Sequence, residues 1–284
     1  MNLVRLIVLC LLLPLTLVAE SGLKVAAMSF NIRLKVAKDG ENSWKFRTNM
    51  VFDVINKRQP DFVGMQEAWQ FQIDAIDKGT SGYAFVGRSR EEDQSRGEWC
   101  PLFYKKDRFE VMESDTFWLS DTPGKPASKT WGNGIPRICT WALFKEKKSC
   151  QLIYIYNTHF DHKSQPSRVK SAQLCREVIG KRGKNAPWIF MGDLNAGEAN
   201  KAILNLTSKG TDQMVDTYRV LHAGEKNAGT FNHWKGSKDG NKIDYVYVSK
   251  SETPKVLKAE IIYDHNSEGR YPSDHYPVWA VLEF

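Results

Sequence analysis

Little in this chain would staple, repeat or anchor it. Only five of its 284 residues are cysteine, too few for a disulfide-dense scaffold. The cysteines are too irregularly spaced for a structural zinc site, and there is no HExxH and no histidine cluster. A zinc hydrolase of non-phosphate esters is therefore disfavoured. No segment repeats, no tract is of low complexity and no linker interrupts the chain, which excludes solenoids and favours one large α/β domain. Past the N-terminus no apolar run approaches the roughly 20 residues of a spanning helix. There is no arginine-rich tract and no basic–aromatic array, so the formal charge of +7 gives only weak support to an anionic partner such as phosphate, nucleic acid or a membrane surface. Aromatic residues are plentiful, with 9 Trp, 10 Tyr and 14 Phe. That supplies a sizeable core and argues against disorder.

The N-terminus reads as an export signal. Arg5 gives a positive start, Leu6 to Leu13 is an unbroken apolar run, and Pro14 and Thr16 loosen it. Ala19 is a small residue near a cleavage point, with Glu20, Ser21 and Gly22 behind it. The expectation is a signal peptide over residues 1–20, a single domain over 21–284, and a secreted or periplasmic protein. An uncleaved membrane anchor is the rival. Cys10 leaves with the leader, and Cys100, Cys139, Cys150 and Cys175 remain. An exported chain is free to oxidise them. Sequence chooses neither a pairing nor between disulfides and buried thiols; Cys175, on a helical stripe, also fits a core position.

Apolar periodicity predicts strands over residues 24–32, 62–66, 83–86, 99–105, 109–119, 138–144, 152–158, 187–191, 243–248 and 276–282. Helices are predicted from Asn42 or Ser43 to Arg58, over 69–77, and over 166–181 with Gly183 punctuating the end. On the strand over 152–158, Leu152, Tyr154 and Tyr156 face one way and Ile153 and Ile155 the other, so both faces are covered. KEKK at 145–148 reads as a hairpin turn, and residues 123–136 as a long surface loop. Many hairpins with few helices indicate two mixed, mainly antiparallel sheets packed face to face, with helices outside.

Polar and acidic residues gather where apolar strands stop or start. Asn31 follows AAMSF, Glu67 follows DFVGMQ, and His159 follows IYIYNT. Asp193 and Asn195 follow WIFMG, Asp244 opens DYVYV, and Asp274 and His275 precede YPVWAVLEF. Side chains at strand ends can converge at one sheet edge. Singly, each has a plain structural reading: a solvent-facing Glu67, a turn at GDLN, a cap at SDH, a hydrogen-bonded core histidine at His159.

The ordered set SFNIR, MQE, NTHFDH, GDLN, KIDYV and SDHYPV resembles the endonuclease/exonuclease/phosphatase superfamily from about Lys24 to Phe284. GDLN and SDHYPV are the specific motifs. The resemblance implies an α/β four-layer α/β/β/α sandwich and a divalent-metal-dependent phosphoesterase. It implies that Glu67 is the main metal carboxylate for Mg²⁺ or Mn²⁺, with Asn31 and Asp274 nearby. Asp193 would orient or deprotonate the attacking water, and Asn195 would hold the phosphate or that water. His275 would face the scissile phosphate with Asp244 as its carboxylate partner, and His159 would be a second phosphate-side histidine. Glu98 resembles the acid that orients such a histidine in deoxyribonucleases. From position alone, Arg137 is a candidate phosphate contact, and Asp161 and His162 candidate extensions of the site. Trp131, Trp141 and Trp234 are candidate stacking platforms, or packing.

The expected substrate is a phosphate ester, with nucleic acids and phospholipid head groups among the candidates and a diester preferred to a monoester. Neither a membrane-dipping aromatic hairpin nor a duplex-binding basic arm is evident. No stable protein partner is expected, and the chain reads as a monomer. The alternative is a non-catalytic binding protein on the same fold.

Overall fold

Two segments set the architecture, because each runs strand, helix, strand with the strands apolar on both faces. In chain order the elements are β1 (Lys24–Asn31), a short 3₁₀ turn (Gly40–Asn42), α1 (Trp44–Arg58), β2 (Phe62–Gln66), α2 (Gln70–Gly79), β3 (Tyr83–Val86), β4 (Leu102–Lys105), β5 (Phe109–Trp118), β6 (Ile138–Glu146), β7 (Leu152–His159), α3 (Gln165–Arg182), β8 (Trp188–Asp193), α4 (Lys201–Thr207), β9 (Met214–Asp216), α5 (Thr217–Leu221), β10 (Asp244–Ser249), β11 (Lys255–Ile261) and β12 (Val278–Glu283). The computed structural model describes residues 22–284 except 36–37, 183–185, 211–212 and 252–253. The proposed leader and Gly183 lie outside the described residues.

The β1–α1–β2 and β7–α3–β8 segments each make a parallel strand pair, as a helical crossover requires. Every other pairing is antiparallel. The first sheet runs β11-β12-β1-β2-β4-β3 and the second β5-β6-β7-β8-β10-β9. Their facing sides bury one apolar layer that includes Val25, Phe62, Ile155, Met191, Val246 and Val278. Val51, Val54 and Ile55 of α1 and Ile73 and Ile76 of α2 seal the outer face of the first sheet with Met28, Phe30 and Val63. Ala172, Cys175 and Ile179 of α3 and Ile203 and Leu206 of α4 seal that of the second with Tyr156, Phe190 and Tyr247. Three apolar layers between four structural layers give the α/β/β/α sandwich.

The two-sided burial of β7 is as the periodicity predicts: Ile153 and Ile155 point between the sheets, Tyr154 and Tyr156 toward α3. A polar bridge crosses the inter-sheet layer. Gln66 Nε2 donates to Asn157 Oδ1 at 2.6 Å, and Asn157 Nδ2 donates to the Met65 and Pro101 carbonyls at 2.8 and 2.9 Å. Gly64 leaves room for it, since a Cβ there would lie 2.7 Å from the Asn157 side chain.

Several expectations need correction. The strand expected over 99–105 starts at Leu102, because Pro101 has no N–H to donate to a ladder; Trp99 makes only isolated bridges to Ala68 and Ser89. Pro277 likewise delays the last strand to Val278. Sequence reading missed α4, β9, α5 and β11. The four described cysteines are free thiols, buried at Cys100, Cys139 and Cys175 and exposed at Cys150.

Candidate active site

Because β1, β2, β7 and β8 are parallel in pairs, their C-terminal ends are where side chains can meet. Asn31 ends β1, Glu67 follows β2, His159 ends β7 and Asp193 ends β8. β10 runs antiparallel to β8 and begins there, with Asp244 opposite Asp193 in register. His159 lies opposite Asp193 on the other side. The chain before β12 delivers Asp274 and His275 to the same edge.

Asp193 is the centre. Its Oδ2 accepts from Asn31 Nδ2 at 2.9 Å and lies 3.4 Å from His159 Nε2 and 3.8 Å from His275 Nε2. Its Oδ1 accepts from the Asn195 backbone N–H at 2.9 Å. Gly192 sets this up by letting β8 approach β7, since a Cβ there would run into the Thr158 carbonyl oxygen. His275 Nδ1 lies 2.9 Å from Asp244 Oδ2. Asn195 Nδ2 donates to the Phe160 carbonyl at 3.1 Å and meets His159 Nε2 at 2.9 Å. That amide orientation makes Nε2 an acceptor and puts the His159 proton on Nδ1.

The first-sheet side is built from backbone. Asn31 Nδ2 also donates to Glu67 Oε1 at 3.2 Å, and the Leu34 N–H donates to Glu67 Oε2 at 2.8 Å. Asp274 Oδ2 faces Arg33 Nη1 at 3.3 Å. Arg33, Glu67 and Asn195 all hold positive φ, at 60°, 60° and 47°. Left-handed backbone at non-glycine residues is strain that the surroundings must hold in place. Arg47 supplies that hold around Arg33. It is buried, and it donates to the carbonyls of Ile32 at 2.6 Å, Pro272 at 2.9 Å, Asn42 at 2.9 Å and Arg33 at 3.1 Å. Ser273 adds a tie, donating to the Asn31 carbonyl at 2.7 Å.

Electrostatics separate the buried groups. Burial, with Asp244 beside it, pushes Asp193 up to about 7. Burial opposes charge on His275, but Asp244 and Asp193 outweigh it and hold the imidazolium well above its ordinary range. His159 goes the other way, driven well down by burial and then by Arg137 and Arg90. Burial also raises Asp274. Two histidines in one pocket thus take opposite protonation states, a pattern found where acid–base roles are assigned.

The remaining candidates come from both sheets, Glu98 from the β3–β4 connection of the first and Arg137, Asp161 and His162 from the ends of β6 and β7 in the second. Glu98 is engaged by Arg90 through paired bonds of 2.7 and 3.0 Å, so its structural partner is a guanidinium. Arg137 is buried, contacts His162 Nδ1 at 3.0 Å and faces Asp161 Oδ2 at 3.5 Å. Of the tryptophans, Trp131 and Trp141 are buried core residues and Trp234 lies against Arg47. The structure thus brings together Asn31, Glu67, His159, Asp193, Asn195, Asp244, Asp274 and His275. Sequence reading missed Arg33, Arg47, Arg90 and Ser273. Of these, Arg33 and Ser273 carried a signal, as the last residue of SFNIR and the first of SDHYPV.

A two-sheet sandwich with carboxylates and imidazoles at one edge defines a class of phosphoesterase-like fold. The Endonuclease/Exonuclease/phosphatase family model matches residues 28–275, and the chain belongs to that family. It is similar to an endonuclease/exonuclease/phosphatase family protein of Bacteroides thetaiotaomicron, 31% identical with a TM-score of 0.85, over 94% of this chain and 97% of that one. It is also similar to a mannosyl-6-phosphatase of Bacteroides thetaiotaomicron, 31% identical with a TM-score of 0.83, over 92% of this chain and 100% of that one. Among sequences, Nocturnin of Drosophila melanogaster is 24% identical over 284 residues; the match takes in 85% of this chain and 42% of that protein.

Proposed function

We propose that this protein is an exported, divalent-cation-dependent hydrolase of phosphate esters that works as a monomer and takes phosphomonoesters of sugars. The carrying observation is the crowd around Asp193 Oδ2: Asn31, His159 and His275 within 3.8 Å of a buried carboxylate. The sequence motifs favour a diester. The sugar monoester is preferred because a relative at 31% identity is a mannosyl-6-phosphatase, whereas Nocturnin stands at 24%. The leader supports export.

The residues present fit a hard cation. Mg²⁺ and Mn²⁺ take oxygen donors and keep several waters, so they suit a half-open carboxylate. Glu67 is such a group, partly exposed beside Asn31 and Asp274. These three would hold the ion, which when bound supplies positive charge beside the phosphoryl oxygens. Asp193, Asp244 and His275 also lie close enough to one another to ligate an ion. That trio fits less well, because a protonated imidazole has no lone pair to give.

The chain's own groups then divide the chemistry. Asp193 orients a water, and its Oδ2 takes the proton as the oxygen attacks phosphorus; the bond from phosphorus to the leaving oxygen breaks, and that oxygen departs with a proton from solvent water. A carboxyl at about 7 is matched to that task near neutral pH. His275, protonated on both nitrogens and fixed by Asp244, donates Nε2–H to a phosphoryl oxygen as its charge grows. Asn195 positions the phosphate or the water, and neutral His159 packs the other side.

The test is turnover of p-nitrophenyl phosphate, a hexose phosphate and the diester bis(p-nitrophenyl) phosphate with Mg²⁺, Mn²⁺ or Ca²⁺, in the wild type and Asp193→Ala. EDTA-sensitive release of phosphate by the wild type alone is expected. Absence of turnover on monoesters and diesters with every cation would favour the non-catalytic binder.

A further inference from the structure

One wall of the pocket has no task in the chemistry above. Arg137 immediately precedes β6, and the β6–β7 register, in which Cys139 faces Thr158, sets it beside the end of β7. Its Nη2 lies 3.0 Å from Nδ1 of His162, and its Nε faces Asp161 Oδ2 at 3.5 Å. Asp161 is itself buried and fixed, its Oδ1 accepting the Lys163 and Ser164 N–H groups at 2.9 and 2.6 Å.

A guanidinium in a protein stays protonated and only donates. Nδ1 of His162 must therefore be the acceptor, and the ring's proton must sit on Nε2. Burial, and then Arg137, hold the His162 pKa below its ordinary value, so the ring is neutral. His162 is exposed. It therefore presents a fixed, uncharged N–H at the rim, three residues along the chain from His159.

The charge of this wall narrows the ligand. Arg90 is occupied bidentately by Glu98 at 2.7 and 3.0 Å. Arg137 has Asp161. Both guanidiniums beside His159 thus have their own carboxylate. Binding a second phosphate draws on unpaired cationic donors, which this pair does not offer, whereas a hydroxyl oxygen needs only a directed N–H.

We propose that His162, held by Arg137 and Asp161, is a specificity-determining residue whose Nε2–H binds a hydroxyl oxygen of an uncharged sugar leaving group next to the scissile phosphate. This rests on the phosphomonoesterase reading.

The experiment is steady-state kinetics of the full chain with Mg²⁺ on a hexose phosphate, a hexose bisphosphate and p-nitrophenyl phosphate, whose leaving group lacks sugar hydroxyls. The readout is the ratio of kcat/KM for the hexose phosphate to that for p-nitrophenyl phosphate. In His162→Ala this ratio falls roughly threefold to tenfold, the worth of one neutral hydrogen bond, and the fall lies mainly in KM. His162→Gln, which keeps an N–H, recovers part of it. The wild type prefers the hexose phosphate to the bisphosphate. An unchanged ratio in His162→Ala, or a wild-type preference for the bisphosphate, overturns this inference while leaving the phosphomonoesterase reading intact. Wild-type enzyme that turns over no phosphomonoester overturns both.

Discussion

The two halves of the site are built in different ways. The first-sheet half, with Asn31, Glu67 and Asp274, is shaped by backbone: strained left-handed residues, carbonyls gathered by Arg47, and a half-exposed carboxylate. The second-sheet half, with His159, Asp193 and Asp244, is dry, and its side chains interlock with His275. The contrast suits two jobs. A hydrated cation needs oxygen ligands with water still in reach. A general base near neutral pH needs a carboxylate stripped of water.

That division can be broken by experiment, starting with the dry half. Asp193→Ala is expected to lower kcat by about 10²–10⁴-fold with an unchanged fold by circular dichroism; wild-type turnover would remove Asp193 from the mechanism. Next comes the backbone-built half. Arg47→Met leaves four carbonyls without their donor and should destabilise by about 2–4 kcal/mol, read from urea unfolding. It should also weaken Mg²⁺ dependence, because Arg47 spans the loops that carry Arg33 and Asp274. A stable variant with normal Mg²⁺ response would show that the loops hold themselves.

The pH responses sharpen the contrast at smaller scale. Asp193 acts as a carboxylate, so turnover should rise with pH through about 7 and fall again at higher pH as His275 loses its proton. Stability moves the opposite way. In cation-free protein the folded state holds the Asp193 proton up to about 7, against 3.8 ordinarily. The folded state then binds more protons between those values, and stability falls as pH rises through that window. Asp193→Asn should therefore melt at least about 2 °C above wild type at a pH above that window. A lower melting temperature would mean that the carboxylate is not strained by burial.

Much of this was legible in the chain, for physical reasons. Strands buried on both faces read as continuous apolar runs, so β1, β2, β7, β8 and β10 stood out. Their ends carried Asn31, Glu67, His159, Asp193 and Asp244. The missed pieces lacked that contrast. β11 is a half-exposed edge with Lys255, Lys258 and Glu260 among its apolar residues. α4 and α5 span only 7 and 5 residues, too short for a helical period to register. Arg47 sits in α1 where a surface arginine would read the same, since charged residues are rarely buried unless partnered, and its carbonyl partners come from loops. Glu98 was noticed but linked to His159; its partner Arg90 comes from a loop whose pairing sequence does not reveal.

The most direct measurement is Mg²⁺ binding by calorimetry to wild type, Glu67→Ala and Asp193→Ala, alongside phosphate release. If the halves divide the work, Asp193→Ala keeps its Mg²⁺ affinity within about threefold while losing turnover, and Glu67→Ala loses both. Undiminished Mg²⁺ affinity in Glu67→Ala, with affinity lost in Asp193→Ala, would place the cation among Asp193, Asp244 and His275 and contradict the account.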